Sequence, residues 1–140
     1  MKEFIEQRII KAVRGLLTGR VNEILHDDEL DVPIIEFGYG VSPVVALGLC
    51  EQTEKERIIR LDAYSLTITF ELPEKIDSEI QCYAYCGAIC RALKENHTLG
   101  GVADRAVVVG EKYVPPKKAN CGNNWEVVIL LRVTVEEMKI

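Results

Sequence analysis

This 140-residue chain has only two histidines, His26 and His97, one tryptophan, and aromatic residues at 6% of its length. Neither histidine has a sequence partner that defines a nucleophile system. Long apolar runs are missing as well. None approaches the twenty or so residues that span a bilayer, so no membrane partner is expected. The opening residues Met1-Lys2-Glu3-Phe4 include an acid and no apolar core of an export signal, which predicts a protein that stays in the cytoplasm. An excess of basic charge is also lacking. Lys and Arg total 17 against 22 Asp and Glu, a net charge of −5, whereas a general nucleic-acid binder carries a basic field. No specific nucleic-acid partner is expected.

The five cysteines are Cys50, Cys82, Cys86, Cys90 and Cys121. Their odd number and the cytoplasmic setting predict free thiols. With 48% hydrophobic and 28% charged residues, the composition is that of a soluble globular protein, and the length fits one domain over residues 1–140.

Along the chain, Phe4, Ile5, Ile9, Val13, Leu16 and Leu17 recur at helical steps over residues 3–17, with Gly19 as the stop. Val21 to Leu25 fits either a helical extension or a strand. Val32 to Phe37 reads as a short strand, and residues 38–55, punctuated by Gly38, Gly40, Pro43 and Gly48, as irregular. From Arg57 to Leu72, Leu66, Ile68, Phe70 and Leu72 alternate with Ser65, Thr67, Thr69 and Glu71, the two-residue period of a long strand. Pro73 ends it, and Asp77 or Ser78 caps a helix that runs to about Asn96, with Gln81 placed as a capping-box partner of Ser78. Residues 80–93 are apolar almost all round, which predicts a helix covered on more than one side. Thr98-Leu99-Gly100-Gly101 then ends the helix with a left-handed cap. Strands follow at about 102–114 and 125–136, the second with Trp125, Val127, Ile129, Leu131, Val133 and Val135 on one face. The order α-β-β-α-β-β predicts an α+β fold, a mostly antiparallel β-sheet with helices packed on it.

Motifs that would carry chemistry are weak. Cys82, Cys86 and Cys90 line one side of a helix at four-residue steps, but structural zinc sites favour tight CxxC turns, and cysteine packs as a small hydrophobe. Packing is the expected role, with no metal and no cofactor. Gly38-Tyr39-Gly40 lacks the third glycine of a dinucleotide loop, and Gly100-Gly101 lacks the Lys-Ser/Thr sequel of a phosphate loop. His26 sits in an acidic run with Asp27 and Asp28 that reads as a solvated loop. No catalytic residue is assigned, so function is sought in surfaces. The long hairpin loop from Pro115 to Asn124, with the lysines beside it, is the place to look. Lys112, Lys117, Lys118, Asn120 and Asn123 are the candidate protein-contact residues.

The second half carries a family resemblance. A helix with Ala84, Gly87, Ala88, Ala92 and Leu93, then Thr98-Leu99-Gly100-Gly101, then a β-hairpin ending in an alternating strand, resembles the tail-terminator (tail-completion) proteins of long-tailed bacteriophages and prophages. The resemblance is sharpest from Ala84 to Val135 and covers most of the chain in element order. It implies a non-enzymatic α+β subunit that forms a homo-oligomeric ring, commonly a hexamer. That ring would sit on the end of the tail tube, stop polymerisation and offer a surface to the head-tail connector protein. The partners implied are further copies of the chain, the tail tube protein and the connector. The location implied is the bacterial host cytoplasm and then the virion tail. The family has no active-site residues to carry over. Two other classes remain open. One is a different phage neck or head-completion protein, or a part of a phage-derived contractile device. The other is a small oligomeric α+β enzyme with an intersubunit cleft involving His97 or the Cys121 loop.

Overall fold

The alternation at residues 65–72 and 125–135 forms the centre of a four-stranded antiparallel sheet. The structure, a computed structural model, describes residues 3–54, 59–116 and 123–138. In chain order the elements are α1 (Ile5–Thr18), α2 (Arg20–Asp27), the two-residue strands β1 (Ile35–Glu36) and β2 (Tyr39–Gly40), β3 (Val44–Glu54), β4 (Ile59–Pro73), α3 (Ser78–Glu95), β5 (Arg105–Val114) and β6 (Asn124–Met138). The main sheet runs β3-β4-β6-β5, every neighbouring pair antiparallel. β4 and β6 pair from Ile59↔Met138 to Pro73↔Asn124. The α+β class with an antiparallel sheet and helices packed on it therefore holds.

One face of this sheet is the core. Leu66, Ile68, Phe70 and Leu72 of β4 and Val127, Ile129, Leu131 and Val133 of β6 are buried there. Each such side chain contributes about 1.5–3 kcal/mol by leaving water. The helices all lie on that face: α3 against β4, β5 and β6, α1 against β3, and α2 on α1 and α3. α1 buries Ile9, Val13 and Leu17 at four-residue steps, as its periodicity predicts. Its first turn is held by Gln7, whose side-chain oxygen accepts the Phe4 N–H at 3.0 Å. A Cβ on Gly19 would stand 2.9 Å from the Gly15 carbonyl oxygen, so glycine is what allows the chain to turn there. The segment that fitted either helix or strand is α2, which buries Val21, Ile24 and Leu25.

Two expectations are corrected. Residues 38–55 are not irregular, because β3 fills most of them. Gly48 and Leu49 together oppose Ser65 in a bulge, and this breaks the two-residue period that would mark a strand. Val32 to Phe37 gives only β1, paired with β2 in a small hairpin outside the main sheet. That hairpin is tied to the helices by Asn22, whose amide accepts the Ile35 N–H at 2.8 Å and donates to the Ile35 carbonyl at 2.9 Å. Asp77, one of the two caps expected, is the N-cap of α3, but the Ser78–Gln81 capping box does not form. Ser78 is buried, its hydroxyl accepting the Lys75 N–H and donating to the Pro73 carbonyl, while Gln81 donates to Asp77. After α3, Leu99, Gly100 and Gly101 all have positive φ (51°, 69° and 90°), the left-handed turn expected of this sequence. Among the described residues no helix is long and apolar enough to cross a membrane.

Candidate functional site

With every helix on one face, the opposite face of the sheet has no cover among the described residues. Its registered residues include Val44 and Ala46 of β3, Thr67 and Thr69 of β4, Val128 and Leu130 of β6 and Val107 of β5, together with Arg105, Lys112 and Arg132 and the acids Glu51, Glu71 and Glu126. Val44, Leu49, Val109 and Leu130 stand exposed, and Arg105, Lys112 and Arg132 ring the β5–β6 side with positive charge. A second uncovered apolar surface lies on the opposite layer. α3 is covered by the sheet and by α1 and α2, as its composition predicts, yet Ile76 just before it and Ile80 and Tyr83 on it remain open to solvent. Glu74, Asp77 and Glu79 surround them. Ile80 is 70% exposed, high for an isoleucine on a helix that buries most of its apolar residues.

Between the two layers, at the edge of the sheet, a bulge changes what β5 presents. Val108 opposes Leu131 and Gly110 opposes Leu130, which leaves Val109 unpaired and 60% exposed. Beyond it, Glu111 opposes Ile129 and Tyr113 opposes Val127, so both belong to the helix-facing side. Without the extra residue the alternation from Ala106 and Val108 would have turned Glu111 outward. Instead the Cys90 thiol donates to Glu111 Oε1 at 3.1 Å, and the Tyr113 hydroxyl reaches Glu111 Oε2 at 3.4 Å. Cys86 Sγ completes the cluster, which lies with all three potential ligand atoms, two sulfurs and a carboxylate oxygen, within 4.8 Å of one another. Tyr83 packs edge-on against Tyr113, ring centroids 5.2 Å apart. The two thiols are held in opposite senses. The neighbouring Cys90, with help from Tyr113, holds the Cys86 thiol below its ordinary range against the opposing effect of burial. Cys90 is pushed up, first by Cys86 and then by burial and Glu111. Cys82, one turn earlier and fully buried, is pushed up to about 11 by burial.

A groove runs from this cluster toward the end of α3, lined by Cys90, Lys94, His97, Asp104, Arg105 and Glu111 among others. Thiol, imidazole and carboxylate thus line one groove, as an enzyme would need. They are not wired together. Among the described residues the His97 imidazole makes no hydrogen bond or ion pair, and Asp104 Oδ2 accepts the Glu136 N–H at 2.6 Å. The solvent-facing thiol, Cys90, is the one kept protonated, while Cys86 is buried. This is poor geometry for a thiolate nucleophile.

No family model and no curated protein matches this chain.

Of the residues expected to contact partners, Lys112 is exposed on the open sheet face opposite Val128. Asn123 is exposed just before β6, and its carbonyl accepts the Glu74 N–H at 2.9 Å. Lys117, Lys118 and Asn120 lie outside the described residues, as does Cys121. His26 sits in the last turn of α2 rather than in a loop, exposed, 3.8 Å from Asp27. Sequence reasoning did not single out Glu111 and Tyr113, because only the strand pairing reveals that a bulge turns them inward.

Proposed function

We propose that this chain is a structural subunit of a homo-oligomeric ring, and that the ring is a phage or prophage tail terminator. The observation that carries the reading is the pair of uncovered apolar surfaces on opposite layers of the fold. One is the sheet face around Val44, Val109 and Leu130; the other is the Ile76–Ile80–Tyr83 stripe at α3. A head-to-tail contact needs two different, complementary patches on each subunit, and repetition of one such contact gives a ring when the rotation between subunits closes. Part of the charge agrees with this pairing: Glu74, Asp77 and Glu79 flank the helical stripe beside Lys75, and Arg105, Lys112 and Arg132 flank the β5–β6 side of the sheet patch, while Glu51, Glu71 and Glu126 share that face. The helix, TLGG turn and hairpin that resemble tail terminators support the specific assignment. In that role one rim of the ring meets the end of the tail tube and the other the head-tail connector protein, with no catalytic step.

Mixing of half-blocked subunits tests the ring. Ile80→Glu blocks the helical patch and Leu130→Glu blocks the sheet patch, so each variant alone should be monomeric by light scattering. Mixed in equal amounts, the two should give a dimer and nothing larger, because only one intact patch remains on each. A mixture that stays monomeric while the wild-type chain forms rings would remove the head-to-tail contact. Adding wild-type rings to polymerising tail tubes tests the terminator assignment. Capped tubes of limited length are expected, whereas rings that bind connectors and ignore tube ends would favour a neck or head-completion role.

A further inference from the structure

The helix-facing side of the edge strand carries a glutamate that is exposed at the rim yet turned toward two cysteines. Glu111 is aimed there by the Val109 bulge, on the edge strand, directly at the helix that carries Cys86 and Cys90. We propose that Cys86, Cys90 and Glu111 form a binding site for a thiophilic divalent cation of the zinc class. The four-residue spacing on α3 would splay cysteine side chains if they followed the helix surface, but here both sulfurs and Glu111 Oε1 converge within 4.8 Å. In a tetrahedral zinc site with bonds of about 2.1–2.3 Å, ligand atoms stand roughly 3.5–3.8 Å apart. Closing the cluster therefore asks for side-chain movements of about 1 Å and no change in the backbone.

The ligand chemistry favours that class of ion. Two thiolates select a soft or borderline cation over magnesium or calcium, and one carboxylate leaves the complex with a single net negative charge. Tyr113 supplies an outer partner, its hydroxyl placed on the second oxygen of Glu111 so that the first is free to bind metal. Three protein ligands leave a fourth position for water, on the side where the groove past Lys94 and His97 opens. On binding, Cys86 and Cys90 release their thiol protons to solvent, and the cation takes the place of the proton that now links Cys90 to Glu111. Such a site clamps α3 to the edge strand, and it stands independently of the assembly proposed above.

Cadmium is the probe, because thiolate-to-cadmium charge transfer gives an ultraviolet band that reports sulfur ligation directly. The titration uses the full chain carrying Cys50→Ser and Cys121→Ser, which removes the exposed Cys50 and the loop thiol as competitors. One equivalent of cadmium is expected to saturate the band and to raise the melting temperature. Cys90→Ser and Glu111→Gln, each checked for an unchanged circular dichroism spectrum, should each weaken binding more than about tenfold, the least that even an outer-shell change costs. Cys82→Ser should leave it unchanged. Absence of the band at one equivalent, or a band indifferent to both Cys90→Ser and Glu111→Gln, would overturn the site.

Discussion

Asn22 does for Ile35 what a neighbouring strand would do. Its side-chain amide pairs with both the N–H and the carbonyl of Ile35, at 2.8 and 2.9 Å, and it also donates to the Thr18 carbonyl at 3.1 Å. An asparagine is the right size and has the right donor–acceptor pair to imitate a peptide group. In the sequence it is an ordinary polar position in a short helix, because its partner lies 13 residues away and only the folded chain joins them. Asn22→Ala leaves two partly buried backbone groups unmet and should cost about 2 kcal/mol in urea unfolding. Asn22→Asp keeps the acceptor for the Ile35 N–H but faces the Ile35 carbonyl without a proton. Its deficit should shrink as acid protonates the carboxyl. The same lesson applies to Glu111, whose importance depends on the bulge one turn of the alternation earlier.

Elements differed in how openly the sequence declared them, and the difference has physical causes. β4 and β6 were legible because each keeps a two-residue period, over Tyr64–Leu72 and Trp125–Val135, above a core of branched and aromatic side chains, so pattern and burial coincide there. α3 was legible from its apolar length, and the turn after it from Gly100-Gly101. β3 was hidden because it is an edge strand with a bulge at Gly48–Leu49, and edges need neither strict alternation nor a continuous apolar face. The site at β5 was hidden for the same reason. The join between α1 and α2 shows how one glycine differs from the next. Gly15 lies exposed inside α1 with open space where its Cβ would be, whereas Gly19 would place a Cβ 2.9 Å from the Gly15 carbonyl. Gly15→Ala should therefore stabilise the fold by about 0.5–1 kcal/mol through helix propensity. Gly19→Ala should destabilise it by about 1–3 kcal/mol, as crowding against a fixed backbone does. Thermal melts of the two variants beside the wild type check the opposite signs.

At the scale of the whole molecule, the fold spends its apolar residues unevenly. One sheet face and most of α3 share a single core, and most of the exposed large apolar residues gather on two surfaces, with Phe4, Leu30 and Ile34 apart from both. The helical layer is braced without using those surfaces. Arg20 bridges α2 to α3 through Glu95 at 2.8 Å, Arg91 joins the same carboxylate at 3.3 Å, and Glu95 is accordingly held below the usual carboxylate range, first by Arg20. The braced layer can thus dock as a rigid body, which keeps the ordering cost of assembly low. In the ring proposed above, charge would set the register between subunits. If the acidic border of the helical stripe meets the basic border of the sheet face, Lys112→Glu places like charge against Glu79 of the next subunit and weakens the ring. Each contact should lose up to about 1 kcal/mol, a roughly fivefold change in subunit affinity, and more at low salt than at high. Glu79→Lys alone should weaken it by a similar factor. The double variant, Lys112→Glu with Glu79→Lys, restores opposite charges across every contact of a head-to-tail ring and should recover most of the affinity, read as ring mass against concentration. Recovery is not expected if the two residues meet different partners, because then the two losses would simply add.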